Sequence, residues 1–160
     1  MIRQVRQEDA EDIALIYNYF VVNTAITFET EEVSVGEMQG RIAEISLHYP
    51  FLVNEEGGRI TGYCYVSKWK KKEAYRSTVE STIYIKPEAR GKGLGQELMT
   101  ALIAELKKTN IHAVIACITI PNPESVRLHE KLGFRKVSDF KEVGYKFGLW
   151  LDVGDWELIV

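Results

Sequence analysis

Apolar residues recur at helical spacing in four segments of the chain. Positions three or four residues apart share one face of an α-helix, so this spacing predicts amphipathic helices. The second helix spans Ser34 to His48, the third begins at Gly93, and the fourth is the short stretch "NPESVRLHEKLGF", capped by Gly133. The inward residues of the first three helices are Ile13, Ile16, Tyr17, Phe20, Met38, Ile42, Ile45, Leu94, Leu98, Leu102 and Leu106.

Stretches rich in β-branched and aromatic residues separate these helices. Met1 to Val5 is a short strand, and "PFLVNEEGGRITGYCYVSKW" contains two strands joined at Glu56 to Arg59, because Gly57-Gly58 is typical of a hairpin turn. "STVESTIYI" is a further strand, and the continuous apolar run "HAVIACITI" suits a buried strand that Pro121 ends. The final third offers two more strands, and "VVNTAITFET" is predicted to be an irregular loop.

Strands interleaved with helices predict an α/β (α+β) fold, with a mixed, twisted sheet and helices on both faces. A chain of 160 residues is long enough for one domain with a substantial core, and neither repeats nor linkers interrupt it. We therefore expect a single domain over residues 1–160.

Composition and charge narrow the class of protein. With 46% hydrophobic and 27% charged residues the chain is typical of globular proteins, and a net charge of -3 does not favour nucleic acid. The basic run "KWKKK" at Lys68 to Lys72 is interpreted as a solvated surface, with nucleic-acid binding as the alternative. The N-terminus does not resemble a signal peptide, and no apolar run reaches the roughly 18 residues of a membrane span. We expect a cytoplasmic protein without membrane partners, in which Cys64 and Cys117 are buried thiols.

The most specific local signal is the glycine-rich hexad inside "TIYIKPEARGKGLGQELMTAL". Gly91, Gly93 and Gly95 let the backbone approach a ligand closely, and Arg90 and Lys92 add positive charge. Because the hexad opens a helix, its free N–H groups and the helix dipole favour an anion, most often phosphate. A tight strand-to-helix connection without a ligand is the alternative.

Two familiar phosphate motifs do not fit the hexad. The nucleotide-binding loop G-x-x-x-x-G-K-[ST] requires lysine after its last glycine, where this chain has Gln96. The dinucleotide pattern G-x-G-x-x-G requires a third glycine, and the chain has Leu98 there, or Gln96 if the frame starts at Gly91.

The order strand, R-G-K-G-L-G, helix, buried strand and "NPESVRLHEKLGF" resembles the GNAT superfamily of N-acetyltransferases. Arg90, Gly93 and Gly95 match its [QR]-x-x-G-x-[GA] motif. "AYRSTVESTIYI", "IPNPESVRLHEKLGF" and "GYKFGLWLDVGDWEL" are similar to the branch that acetylates phosphinothricin, methionine sulfone and methionine sulfoximine, and this similarity covers nearly all of the chain. The resemblance implies an acetyl-CoA-dependent N-acetyltransferase without a metal, acting on a small amino acid or analogue.

The resemblance also implies where the cosubstrate binds. The backbone of one strand would face the pantetheine arm, the hexad would hold the diphosphate, and an asparagine and a lysine of the following segment would line the arm. These residues are, in chain order, Ile83, Tyr84, Ile85, Gly91, Lys92, Gly93, Leu94, Gly95, Gln96, Asn122 and Lys131.

Glu80 matches the glutamate that serves as the base in this branch. A buried carboxyl group has a raised pKa, which improves it as a base near neutral pH. Alternation along the strand puts Glu80 on the same half-polar face as Thr78, Thr82 and Tyr84, so an outward-facing glutamate on an edge strand is the alternative. We place Thr78 with the acceptor-binding residues.

Two further residues are candidates for the acceptor pocket. Arg76 could bind an acceptor carboxylate through paired hydrogen bonds, or could be an exposed arginine that ends the basic run. Phe28 matches an aromatic residue that lines the pocket in this branch, often from the other subunit, which implies a homodimer; core packing is its alternative. Phe147 stands where phosphinothricin enzymes tend to have histidine, which leaves phosphinothricin open as a substrate.

The acetyl transfer also needs a donor for the oxyanion and an acid for the leaving thiolate. The backbone N–H of Ile85, in a strand opened by a bulge, is the expected oxyanion donor. His129 stands where many relatives have a tyrosine that could serve as the general acid; we favour a packed, hydrogen-bonded structural role for it, with proton donation as the alternative, and Tyr84 and Tyr145 are the other candidate acids. An acetyltransferase acting on a protein N-terminus, lysine or polyamine, or a non-catalytic acyl-CoA-binding module, is the alternative function.

Overall fold

Eight β-strands and four α-helices follow the order that the sequence pattern predicts for most of the chain. The computed structural model describes residues 1–160. The strands are β1 (Ile2–Gln4), β2 (Phe51–Glu56), β3 (Arg59–Lys68), β4 (Thr78–Ile85), β5 (Ala113–Ile120), β6 (Arg135–Lys136), β7 (Phe140–Lys146) and β8 (Leu149–Ile159). The helices are α1 (Ala10–Asn23), α2 (Val35–Ser46), α3 (Leu94–Leu106) and α4 (Pro123–Lys131).

The strands form one sheet in the order β1-β2-β3-β4-β5-β8-β6, and β7 pairs with the first part of β8, from Leu149 to Val153, on the same edge as β6. Only β4 and β5 are parallel, so the sheet is mixed, as predicted. The final third contains three strands instead of the expected two, because the two-residue β6 is too short to leave a periodic signal.

Apolar side chains alternate between two cores on opposite faces of the sheet. On β3, Tyr63 belongs to the core under α1 and α2, and its neighbour Cys64 belongs to the core under α3 and α4. Helices on both faces are therefore confirmed. Cys64 is buried as predicted, but the prediction for Cys117 is wrong: its side chain is exposed, because it lies on the sheet face that α3 does not cover.

Local capping explains where the helices begin and end. Ser34 accepts a hydrogen bond from Glu37 N–H at 3.1 Å, and the Glu37 carboxylate accepts one from Ser34 N–H at 2.9 Å, which forms a capping box at the start of α2. Asn122 caps α4 through a 3.2 Å bond from Ser125 N–H. Gly133 has a φ of 95°, the left-handed conformation expected of a C-terminal cap. None of the helices has the length and hydropathy needed to cross a membrane.

Candidate active site

A cleft opens where the two parallel strands separate. β4 and β5 pair only from Thr78 with Ala113 to Ser81 with Ala116, and beyond this point they diverge. The register of β4 with β3 is constant from Lys68 with Val79 to Gly62 with Ile85, so β4 contains no bulge. The expected bulge is therefore wrong; the divergence of β4 and β5, not an irregularity within β4, opens the strand.

The hydrogen-bond ladder shows which backbone groups face this cleft. Lys86 N–H donates to Thr61 C=O at 2.9 Å, and the alternation of an antiparallel ladder then directs the backbone groups of Tyr84 towards β3. Ile83 and Ile85 direct their N–H and C=O groups to the opposite edge, which β5 has left. The structure thus turns the backbone of Ile83 and Ile85 to the cleft and that of Tyr84 away from it.

The outer cleft has a volume of about 450 Å³ and contains most of the predicted cosubstrate residues. Lys92 and Leu94 do not line it, since Leu94 packs instead against the core under α3. The predicted residues in its lining are Ile83, Tyr84, Ile85, Gly91, Gly93, Gly95, Gln96, Asn122 and Lys131. Residues of the lining that the sequence did not single out include Phe20, Ile26, Ser125, Arg127 and Leu128.

Backbone geometry explains the glycines of the hexad. Gly91 and Gly93 have φ values of 74° and 85°, and Gly93 is the N-cap of α3 without any side-chain cap. A Cβ on Gly95 would lie 3.2 Å from Ile85 Cδ1, so a side chain there would displace β4 or α4. The first N–H groups of α3 are therefore open to the cleft.

Positive side chains surround this helix start. Arg127 and Lys131 are one turn apart on α4, and both line the outer cleft together with Arg90. The Arg90 guanidinium lies 4.8 Å from the centre of the Phe20 ring, which orients it. Free N–H groups, a helix dipole and three cations fit a diphosphate group.

An inner chamber of about 270 Å³ continues from the outer cleft, because both are lined by Ile26, Ile83, Tyr84, Asn122 and Ser125. Its other walls come from β4, β5, α4, β8 and the loop after α1. The side chains that give the chamber its chemistry are Thr27, Phe28, Glu80, Thr82, Cys117, Thr119 and His129.

Glu80 projects into the inner chamber from β4, which lies between β3 and β5. The edge-strand alternative is therefore wrong. Burial raises the pKa of the Glu80 carboxyl, and the negative charge of Asp155 raises it further. No lysine or arginine forms an ion pair with Glu80. The chamber thus contains a half-buried carboxylate with an increased affinity for a proton.

His129 is 3% exposed and its ring is fixed by the helix that carries it. Its Nδ1 lies 2.8 Å from the backbone oxygen of Ser125, which can only accept, so Nδ1 carries the proton. Burial lowers the pKa of His129, which keeps the imidazole neutral. Nε2 is then a hydrogen-bond acceptor and has no proton to donate.

The other candidate acids differ in position. Tyr84 lines both cavities, whereas Tyr145 is 60% exposed on β7 and lines neither. Burial raises the pKa of the Tyr84 hydroxyl, so this group is protonated at neutral pH.

The loop after α1 is held in place by three contacts. Thr27 Oγ1 lies 2.8 Å from the Tyr17 hydroxyl, and Thr27 C=O accepts a 2.8 Å hydrogen bond from Lys146 Nζ. The Phe28 ring lies against Gly144, where a Cβ would come within 2.3 Å of it. The loop is irregular, as predicted, and it brings Phe28 into the inner chamber of its own chain.

Arg76 and Thr78 lie outside the inner chamber of the same chain. The Arg76 side chain is 71% exposed, pairs with Glu73 at 3.7 Å and lines a separate cavity beside His48. Arg76 lies in the turn before the closed end of β4 and its side chain is directed to Glu73, which explains why it does not reach Glu80. Thr78 pairs with Ala113 at the closed end of β4, away from the point where the strands diverge.

Comparison with known proteins agrees with this geometry. The acetyltransferase (GNAT) domain family matches residues 2–153. A methionine sulfoximine and methionine sulfone acetyltransferase from Salmonella typhimurium is 38% identical over 153 residues, covering 95% of this chain and 90% of that protein. A phosphinothricin N-acetyltransferase from Streptomyces viridochromogenes is 36% identical over 157 residues, covering 96% of this chain and 86% of that protein.

A solved structure is similarly close. The phosphinothricin acetyltransferase of the GNAT superfamily from Sinorhizobium meliloti, in complex with acetyl-CoA, has a TM-score of 0.96 and 35% sequence identity, covering 100% of this chain and 88% of that one. The resemblance, the fold class and the enzyme class expected from the sequence are therefore confirmed. The chain belongs to the GNAT family of acetyltransferases.

Proposed function

We propose that this N-acetyltransferase uses Glu80 as the base that prepares the amino group of a small, amino-acid-like acceptor for attack on acetyl-CoA. The observation that carries the proposal is the half-buried, unpaired Glu80 carboxylate in the chamber that continues from the outer cleft. Methionine sulfone, methionine sulfoximine and phosphinothricin are the acceptor class, because the relatives described above carry these names. Residues 1–160 are proposed to work as one domain.

The outer cleft fits acetyl-CoA. The first N–H groups of α3, with Arg90, Arg127 and Lys131, would hold its phosphates. The free backbone groups of Ile83 and Ile85 would pair with the amides of the pantetheine arm, as one strand pairs with another.

The side-chain amide of Asn122 would be a further contact to the pantetheine arm. Its Oδ1 already accepts the bond from Ser125 N–H that caps α4. The amide NH2 group of Asn122, which lines both cavities, is thus left to donate.

The residues that line the inner chamber indicate how protons move during the acetyl transfer. An amine arrives mainly as an ammonium ion, and Glu80 accepts its proton, which the raised pKa of the carboxyl favours near neutral pH. The nitrogen lone pair attacks the thioester carbonyl, and a backbone N–H of Ile83 or Ile85 stabilises the oxyanion. The C–S bond then breaks, and the leaving thiolate takes a proton from a donor other than His129, whose Nε2 carries none. Tyr84 is our candidate: it gives its proton to the thiolate and takes up the second proton of the nitrogen, while Glu80 releases the first proton to solvent.

We further propose a homodimer, because the chamber and an exposed apolar surface adjoin. No lysine or arginine lines the chamber, so a carboxylate-bearing acceptor needs a cation from outside it. The apolar hairpin of β7 and β8 is continuous with the Phe28 wall through Gly144. Its exposed residues are Val143, Tyr145, Phe147, Leu149 and Trp150. A second copy on this surface would cover the hairpin and border the chamber.

A reducing cytoplasm is the proposed location, because both cysteines are free. Arg76 and Thr78 lie outside the inner chamber of their own chain, so we retain them only as residues that a second subunit could contribute to the acceptor site.

An acceptor screen tests the function. Release of the coenzyme A thiol is measured at fixed pH with acetyl-CoA and methionine sulfone, methionine sulfoximine, phosphinothricin, a decarboxylated analogue, a peptide or a polyamine. We expect turnover of the amino acids, and loss of it in Glu80→Gln. Acetylation of peptide or polyamine without amino acids would overturn the acceptor class, and absence of thiol release with every acceptor would overturn catalysis.

A further inference from the structure

Asp155 is a half-buried carboxylate on β8, two residues after Val153, which lines the inner chamber. Its Oδ2 accepts a 2.9 Å hydrogen bond from the Ser138 hydroxyl, and the backbone N–H of Asp155 donates to Ser138 Oγ at 2.9 Å. Both bonds fix the side chain and the strand at this point. The carboxylate therefore has one defined position.

The strand register brings Asp155 and Glu80 to the same face of the sheet. Glu80 pairs with Ile115, and Cys117 lies two residues farther along β5 on the same face. Asp155 is the direct partner of Cys117 on β8. Directly paired residues have Cβ atoms about 5 Å apart, so the Cys117 side chain lies between the two carboxylates.

Cys117 is exposed to the inner chamber but partly shielded from water there. This desolvation raises the pKa of its thiol to about 12, and the charges of Glu80 and Asp155 contribute to the increase. The thiol is thus neutral at physiological pH and does not screen one carboxylate from the other.

Neither carboxylate is neutralised by a cation, since both are absent from the ion pairs of the protein. Farther from Glu80, on the other side of Tyr65, the Glu29 carboxylate and the Arg41 guanidinium form an ion pair with a 2.6 Å distance between Oε1 and Nη2, so their charges cancel. The other ionisable side chains around Glu80 are Tyr65 on β3, Tyr84 on β4, Cys117 on β5, His129 on α4 and Glu157 on β8. Glu157 is separated from Glu80 by the buried side chain of Ile115.

We propose that Asp155 is a positioning residue of the acetyl transfer: its carboxylate, fixed by Ser138 beside Cys117 on the sheet face that carries Glu80, sets the pH range in which Glu80 takes up a proton. Its effect on turnover rests on the proposed function of Glu80 as the base. Two like charges that share a site resist simultaneous ionisation, so Asp155 makes Glu80 a stronger base. Binding of the acceptor ammonium between them would relieve the repulsion.

The test removes the negative charge of Asp155 and keeps the shape of its side chain. In Asp155→Asn the acid limb of the kcat/KM profile should move down by about 0.5 to 1 pH unit, and the plateau should fall about two- to fivefold because the base is weaker. Loss of a merely structural contact would lower activity at every pH and leave the limb in place. Asp155→Ser is a second neutral variant in case Asp155→Asn does not fold.

Two variants are matched controls. Glu157→Gln removes a charge from the same face of the same strand, and Ser138→Ala removes the anchor while the charge stays. Neither should shift the acid limb by more than about half of the Asp155→Asn effect.

A direct titration separates this inference from the proposed function. The Glu80 carboxyl carbon, assigned by its loss in Glu80→Gln, is followed by NMR in the wild type and in each variant. A Glu80 pKa that falls in Asp155→Asn by at least about twice as much as in either control supports the inference. An unchanged pKa, or an equal decrease in Glu157→Gln, overturns it, whatever the activity. Normal turnover of Glu80→Gln would instead overturn the role of Glu80 as base.

Discussion

The Lys146 ammonium donates a hydrogen bond to the backbone oxygen of Thr27 at 2.8 Å, and thereby joins β7 to the wall of the inner chamber. Lys146 is 4% exposed, and burial lowers its pKa. A buried cation with a backbone acceptor holds that acceptor firmly, because losing the bond would leave the charge without a partner. The geometry of the chamber thus depends on a strand of the apolar hairpin.

Lys146→Met is expected to weaken acceptor binding more than cosubstrate binding. Loss of the bond frees Thr27 and the adjoining Phe28, so kcat/KM for the acceptor should fall about tenfold, which corresponds to about 1.4 kcal/mol. Acetyl-CoA affinity, measured by calorimetry, should change little. Lys141→Met is the control, since Lys141 lies on the same strand but is exposed and pairs with Asp139. An equal loss in both variants would show that the bond to Thr27 does not matter.

Glu80→Gln should lower turnover by about 100-fold or more and leave acetyl-CoA affinity nearly unchanged. Because burial raises the pKa of Glu80, wild-type activity should be lost as the pH falls through this raised value. The measurement is a pH profile of kcat/KM for both proteins. A wild-type rate and profile in the variant would remove Glu80 from the mechanism.

The same substitution should stabilise the fold. A group whose pKa is higher in the folded than in the unfolded protein favours folding at low pH, and this contribution is lost as the pH rises through the folded pKa. Glu80→Gln keeps a neutral side chain at every pH, so its melting temperature should exceed that of the wild type at neutral pH and approach it in acid. A melting temperature below the wild-type value at neutral pH would contradict this.

Features that depend on neighbouring residues could be predicted from the sequence. The hexad glycines, the α3 leucines and the Gly57-Gly58 turn are local patterns, and each lies where the pattern places it. Gly57 and Gly58 have φ values of 60° and 77°, as a tight hairpin requires.

Features that depend on distant residues could not be predicted. Lys146 and Thr27 are 119 residues apart, and only the assembled sheet brings them together. Arg76 is close to Glu80 in sequence, but it lies in the turn before β4 and its side chain pairs with Glu73. The orientation of His129 depends on its bond to Ser125 C=O, which residue identity does not reveal.

The hexad prediction concerns two glycines with different constraints. Gly93→Val places a β-branched side chain at a φ of 85°, at a cost of about 1–2 kcal/mol, and Gly95→Val displaces Ile85 or Leu128. The double variant should lose the rise in melting temperature that acetyl-CoA causes in the wild type.

Gly40→Ala is the control, because its Cβ would contact nothing within 4 Å inside α2. It should stabilise the protein by about 0.5–1 kcal/mol and keep the acetyl-CoA effect. A folded double variant with a normal acetyl-CoA effect would refute the assignment.

The turn of the apolar hairpin offers a prediction in which stability and assembly respond in opposite directions. Phe147 and Gly148 have φ values of 54° and 72° between the paired residues Lys146 and Leu149, so a left-handed conformation is imposed on a phenylalanine. Asparagine tolerates this conformation better. Phe147→Asn should therefore stabilise the monomer by about 0.5–1 kcal/mol, measured by denaturant unfolding at a concentration too low for dimers.

The same variant removes an exposed aromatic ring from the proposed dimer surface. If a second copy covers the hairpin, Phe147→Asn should raise the dimer dissociation constant at least about tenfold in sedimentation experiments. Phe147→Leu is the matched control: it keeps an apolar side chain and the strained backbone, so it should gain no stability and retain most of the association. A destabilised Phe147→Asn monomer would contradict the turn argument, and a wild-type protein that stays monomeric at working concentration with full activity would overturn the dimer.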